Sequence, residues 1–270
     1  GLWRFDEGNT NTVLDSTGSF NGTVIGNPTI VDKGISGKAL NFNGTNDYID
    51  LGDINSPAQN NQITISAWVM WDNLTGHQAI FTDGGAGKGY EIGLFNNDLV
   101  ITVRSSSGGA TAKYATSNLN TNTWYHIAGI VDSPANKIQL YVNGELVSST
   151  ISNFGDFNGF NTTTIASTST SSPTLQSGVS ATDTLHNGKI DEVRVYEKPL
   201  SFNQIKSLFT NPSGTSGGLI SANTMRTGEL VSQILTGGSD GVPTTDGFRA
   251  NLNEGWLSGP DFALGTSTSK

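Results

Sequence analysis

TWYHIAGIVDSPANKIQLYVNGELVSS, residues 123–149, holds three apolar runs divided by turn residues. The first run, 123–132, reads as a long strand. KIQLYV and ELVSS flank Asn143-Gly144, a strong hairpin signal because both central residues of a type I′ turn need positive φ. The three runs together predict an antiparallel meander.

The same devices recur along the chain. In QITISAWVMW, 62–71, Ile63, Ile65, Ala67, Val69 and Trp71 alternate with Thr64, Ser66, Trp68 and Met70, giving a strand with one strongly apolar face. YEIGLF and DLVITVR sit on either side of Asn96-Asn97, a second tight hairpin. Further short strands are expected at 2–5, 22–25, 38–42, 47–51, 78–82, 111–116, 162–166 and 188–196. More than ten strands with frequent turn signals predict an all-β, two-sheet antiparallel sandwich or jelly roll. One short helix is expected near 201–209, where Ser201 and Gln204 form a capping box and Phe202, Ile205, Leu208 and Phe209 share a side.

Composition narrows the function classes. Only 14% of the 270 residues are charged and 34 are glycine, which suits strands and polar turns rather than helices. A net charge of −9, with 14 Lys and Arg in all and no basic run, argues against nucleic acid as a partner. There is no cysteine, so disulfide scaffolds and thiolate metal sites are excluded. No apolar run reaches the ~20 residues needed to span a bilayer, so no membrane insertion by this segment is expected. The opening GLWRFDEG has neither an initiator Met nor a signal peptide and reads as a mature or excised segment.

After Asn211-Pro212 the texture changes to SGTSGG, a linker composition. The expected organisation is therefore one domain over 1–210 and an extension over 211–270. Residues 219–235 are a candidate short amphipathic helix. Phe248, Trp256 and Phe262 are too few for an independent core, so the extension either packs on the sandwich or begins a truncated element.

NGKIDEVRVYEKPLSFNQIKSLF, 187–209, poses a chemical question. Strict alternation puts Lys189, Asp191, Val193 and Val195 on one face and Ile190, Glu192, Arg194 and Tyr196 on the other. Asp191 then shares a face with two valines. A carboxylate there must be hydrogen-bonded, paired or bound to a cation.

The ordered phrases WRFDEG, DSTGSFNGTVIG, GKALNFNGTNDYIDLG, ITISAWV, TWYHIAGIVD, IQLYVNGELV and GKIDEVRVYEKPLSFNQI resemble the LamG-like, concanavalin A-type jelly-roll family of bacterial secreted and cell-surface proteins. The resemblance covers roughly 1–210. It implies a two-sheet sandwich at an extracellular or cell-surface location, and a binding or adhesion role toward a carbohydrate or protein. It also implies calcium, for which the candidate ligands are Asp6, Asn46, Asp47 and Asp191, since calcium takes six to eight hard oxygens. The alternative is that Asp191 accepts hydrogen bonds from backbone amides or Lys38 without a metal. Asp83 and Glu91, flanking a glycine run, are a further cation candidate whose plainer reading is a solvated loop.

An enzyme on this fold would need two carboxylates aimed into one cleft. The nearest approach, DEVRVYE, fails because Asp191 and Glu192 are adjacent and point opposite ways. His77, His126 and His186 fall in no recognised motif, and His126 is expected as a satisfied core or interface residue. A non-catalytic binder remains, with Trp71, His77, Asp83, Tyr90 and Arg104 as candidate ligand residues, joined more loosely by Asp72, Asn73 and Tyr114. Aromatic faces and polar groups at strand ends are what sugar recognition requires. Against this, Trp71 shares its strand's apolar face and Arg104 ends a strand. The alternative function is a structural subunit of a surface assembly, self-associating through 211–270.

Overall fold

The computed structural model describes residues 1–7, 11–54, 60–85, 88–157, 162–168 and 185–213, together with 249–251, 256–259 and 262–263. The chain divides into two compact units, Gly1–Ser213 and Gly214–Lys270. In the first unit the strands are, in chain order, β1 (Leu2–Trp3), β2 (Thr12–Val13), β3 (Gly22–Ile25), β4 (Thr29–Val31) and β5 (Ala39–Asn43). Next come β6 (Tyr48–Gly52), β7 (Gln62–Trp71), β8 (Gln78–Gly85), β9 (Lys88–Phe95), β10 (Asp98–Ser105) and β11 (Gly108–Ala115). The set ends with β12 (Tyr125–Asp132), β13 (Lys137–Val142), β14 (Glu145–Ile151), β15 (Thr163–Ile165), β16 (Asn187–Tyr196) and the helix α1 (Phe202–Thr210).

These strands form two antiparallel sheets. The first runs β14-β13-β12-β7-β16-β5-β4, with β1 also paired to β16, and the second runs β11-β10-β9-β8-β15-β6-β3-β2. The expected all-β jelly roll with one short helix is the observed architecture. Local chemistry accounts for much of it. Asn96 and Asn97 have φ of 48° and 67°, and Asn143 and Gly144 have 51° and 78°, as tight hairpin turns require. Ser201 caps α1 through its side chain and Gln204 closes the capping box. The strands β2 and β4, only two and three residues long, carry no such signal and were not expected.

The core lies between the sheets. Ile63, Ile65, Ala67, Val69 and Trp71 of β7 all enter it, as their alternation predicts. They meet Phe81, Ile92, Ile101 and others from the second sheet. The far face of β7 is covered as well. Trp68 stacks on Phe209, with ring centroids 5.6 Å apart, and Ile205 and Leu208 of α1 are buried. Thr64 donates to the carbonyl of Lys198 at 2.7 Å and accepts from the Leu200 amide at 3.0 Å, pinning the chain that leads into the helix.

The two long sides of the sandwich differ. On one side β11 and β14 meet, with Thr150 Oγ1 donating to the Thr111 carbonyl at 2.9 Å and the Lys113 amide donating to Ser148 Oγ at 3.2 Å. On the other side the edges are β4 in the first sheet and β2 in the second, and residues 26–28 carry the chain across the gap.

In the second unit the described strands β17 (Arg249–Asn251), β18 (Trp256–Gly259) and β19 (Phe262–Ala263) form a three-stranded antiparallel sheet. The helix expected at 219–235 lies outside the described residues. So does most of the segment to which self-assembly was assigned.

Candidate functional site

Strict alternation in β16 is broken by a bulge. Asp191 faces Trp68 in register, but the next paired residue is Arg194, facing Ser66. Glu192 takes φ of 50°, a left-handed conformation that costs a non-glycine residue roughly 1–2 kcal/mol. The bulge resets the parity of the strand, so Ile190, Val193 and Val195 all enter the core. Asp191 therefore leaves the face it was expected to share with the valines and joins Trp68 on the outer face.

There it is fully buried and hydrogen-bonded by the chain itself. Its Oδ2 accepts from the amides of Ile35 at 2.8 Å and Ser36 at 3.1 Å, and its Oδ1 accepts from the amide of Glu192 at 2.7 Å. The loop 34–38 is shaped for this contact: a Cβ on Gly34 would lie 2.6 Å from Asp191 Oδ2, and Gly37 has φ of 71°. Burial pushes the Asp191 carboxyl up to about 7, with the neighbouring Glu192 adding to the rise against the lowering effect of the amides. Beside it, Glu192 bonds Arg194 at 2.6 Å and Arg4 at 3.3 Å.

The four expected calcium ligands do not come together. Asp6 Oδ1 accepts from the Lys38 amide at 2.8 Å, next to the loop held by Asp191. Asp47 Oδ2 accepts from the Asn43 amide at 3.1 Å and its Oδ1 from the Asn27 amide at 2.8 Å. Asn46 Oδ1 accepts from Asn43 Nδ2 at 2.7 Å in the same turn. Lys38 and Asn43 bracket the length of β5, so their amides stand about 16 Å apart on an extended strand. Asp6 and Asp47 cannot then share an ion whose oxygens sit at about 2.4 Å. Among the described residues no three His, Asp or Glu side chains are grouped to hold a metal.

The expected ligand residues are also dispersed. Trp71 and Tyr90 are fully buried in the core, so neither presents a face to a sugar. Tyr90 stacks on Phe81 and its hydroxyl donates to the buried Asp83 at 2.7 Å. His77 is buried, paired with Glu91 and edge-on to Phe95. Asp83 and Glu91 belong to strands rather than to a solvated loop. Asp83 is in register with Tyr90 and Glu91 with Thr82, so the two acids take opposite faces. Arg104 alone of the five is exposed, opposite Gly89 and Gly109. His126 is buried against Trp68 and Phe209, but neither ring nitrogen is hydrogen-bonded, contrary to the satisfied histidine expected. Burial, then the nearby Arg194, lowers its pKa to about 3.

A concave site lies instead at the open side of the sandwich. It is a small open cleft, about 40 Å³ in volume, between β2 and β3 of one sheet and β4 and β5 of the other. Val13, Val24, Ile30, Leu40 and Phe5 supply apolar walls, while Glu7, Asn11 and Asn27 supply polar groups. Glu7 Oε2 is shielded from solvent and has no hydrogen-bond partner. Glu7 lies in the WRFDEG phrase and was not among the candidate site residues. Three segments distant in sequence must meet before the cleft exists.

A two-sheet antiparallel jelly-roll sandwich is the class that this geometry defines. The chain belongs to the concanavalin A-like lectin/glucanase superfamily, whose family model matches residues 43–206. Among solved structures it is similar to the binding domain of botulinum neurotoxin DC in complex with rat synaptotagmin II. That match has 18% identity and a TM-score of 0.59, and covers 78% of this chain and 51% of the other. It is similar also to a structure entitled as showing that cell entry of botulinum neurotoxin type C depends on interaction with two ganglioside molecules. There identity is 18%, the TM-score 0.60, and coverage 78% and 51%. The chain thus spans about half the length of these structures, and at such identity the likeness is one of fold. No curated protein matches it.

Two outcomes follow from the Asp191 geometry. A carboxyl with a raised folded pKa contributes stability that is fully present below its unfolded value of 3.8 and is lost as pH rises through about 7. The stability advantage of the wild type over Asp191→Asn should therefore be largest near pH 4 and shrink toward pH 7 in urea titrations. His126 and His186, with lowered pKa values, contribute the opposite slope, but equally in both proteins, so it cancels in the difference. An advantage that grows with pH would contradict the assignment. Since backbone amides already serve Asp191, chelation followed by added calcium should move the melting temperature no more than magnesium does. A calcium-specific rise that disappears in Asp191→Ala would restore the ion.

Proposed function

We propose that this chain is a non-catalytic recognition module acting outside the cell or at its surface, and that it binds a carbohydrate or protein partner in the cleft between the β2–β3 and β4–β5 edges. The observation that carries the reading is the cleft itself: a concavity at the edge of the sandwich, lined by both polar and apolar residues, is where a ligand finds surface to bury. Membership of a superfamily that includes lectins supports it. So does the fold shared with a neurotoxin binding domain in complex with synaptotagmin II and with a neurotoxin whose cell entry depends on two ganglioside molecules.

What supports the non-catalytic part is the condition of the acids. Glycoside hydrolysis needs two carboxyl groups flanking a substrate cleft. Asp191 and Glu192 are buried and committed to amides and arginines, and Glu91 is buried against His77. Glu7 stands in the cleft as the single acid among its lining residues.

The test is a glycan array and a panel of purified cell-surface proteins, probed with the wild type and with Asn27→Trp. Asn27 is exposed at the cleft, so a bulky ring there should block it without unfolding the chain. The reading expects a ligand whose binding falls by at least about tenfold in the variant at unchanged melting temperature. Binding that ignores the substitution would move the site elsewhere, and turnover of a glycan would overturn the non-catalytic assignment.

A further inference from the structure

The helix α1 covers a costly seat on the outer face of the first sheet. Phe209 stacks on Trp68 and lies against His126, with ring centroids 5.6 and 6.2 Å apart, and Trp68 and His126 are 5.5 Å from each other. Three polar atoms of this trio, Trp68 Nε1 and both ring nitrogens of His126, are shielded from solvent and have no hydrogen-bond partner among the described residues. Such groups penalise the closed arrangement and regain water as soon as the cover lifts. Besides its apolar contacts, the cover is tied at its ends and on its exposed side. Thr64 pins Lys198 and Leu200 before the helix, Arg194 donates to the Pro212 carbonyl at 2.5 Å after it, and Lys206 pairs with Glu145.

We propose that α1 is a proton-sensitive strap, released from the first sheet when His126 takes up a proton. A neutral imidazole leaves one N–H unpaired in this seat, and an imidazolium would leave two and a charge. The charged groups around it give no relief. β16 contributes Arg194, a cation that opposes a second one, and Glu192, already bonded to Arg194 and Arg4. Asp191, two strands away beyond Trp68, takes up its own proton near pH 7 and is neutral in acid. α1 contributes Lys206, whose ammonium lies 5.5 Å from the Phe209 centroid, and β14 contributes Glu145, committed to Lys206. β13 brings Tyr141, whose hydroxyl burial keeps protonated. With α1 lifted, the ring meets water and titrates near its ordinary 6.5, whereas in the closed seat burial lowers it to about 3. Closure is therefore fully stable above about pH 6.5 and weakens as pH falls toward 3.

The chain has no cysteine, so one introduced thiol reports alone. Leu208→Cys puts it under α1, where Leu208 is buried, and Val103→Cys puts one in the core of the second sheet to report global unfolding. Maleimide labelling rates of the full chain, each divided by the rate of a short cysteine peptide at the same pH, give the open fraction at either position. From pH 7 to pH 5 the open fraction at position 208 should rise about 25-fold, the ratio set by a pKa of 6.5 in the lifted state against about 3 in the closed one. It should also exceed that at position 103 throughout. His126→Phe and His126→Leu, two fillings of the seat that take no proton, should abolish the rise. A rise that survives both substitutions would overturn His126 as its carrier, and a flat profile with His126 present would overturn the switch. Equal open fractions at the two positions would mean that α1 leaves only on global unfolding, and the strap would fall.

Discussion

Asp191 sits where β16 changes parity, and much of the first sheet is arranged around that point. β16 pairs with β7 along most of its length, with β5 at its start and with β1 near its end. A strand in that position has to deliver Ile190, Val193 and Val195 to the core, and two-residue alternation cannot do so. One extra residue in the left-handed region solves the parity problem and leaves backbone donors to be satisfied. The Asp191 carboxylate satisfies the amide of Glu192 and extends the same contact to Ile35 and Ser36. The loop so anchored leads into β5, which brings Leu40 to the cleft.

The sandwich is asymmetric for a related reason. Side-chain-to-backbone bonds join β14 to β11 on one side, whereas short edge strands face each other on the other. Two- and three-residue edges offer little ladder to a stray strand, which limits aggregation. They also leave the small cleft open between the sheets. Asp15 helps hold that side: it accepts from Leu2, Thr17 and Phe20 amides and from the Thr17 hydroxyl, tying β1 to the turn after β2. Although burial acts to raise its pKa, these bonds prevail and hold it below the ordinary value.

Features written in a few neighbouring residues were legible in the sequence. The Asn96-Asn97 and Asn143-Gly144 turns, the β7 alternation and the Ser201–Gln204 box each follow from local stereochemistry. The bulge was not legible, because a single glutamate in the left-handed region has no compositional mark. The site residues failed for a different reason. Tyr90 and His77 have the side chains that sugar binding uses, but residue type does not reveal which face of a sheet is covered, whereas the apolar face of β7 had already pointed Trp71 toward the core. Asp15 was passed over although an Asp followed by Ser-Thr-Gly signals a side-chain turn. The cleft joins residues near 5–13, 24–30 and 40, and only the tertiary fold brings those together.

The anchoring of the 34–38 loop by Asp191 is tested most directly by site-resolved hydrogen–deuterium exchange. If the carboxylate holds the bulge and the loop together, the amides of Ile35, Ser36 and Glu192 exchange slowly in the wild type. In Asp191→Ala the three lose protection together, while the β12–β13 ladder keeps its own. Rapid exchange of these amides in the wild type, at the rate of an open loop, would contradict the account.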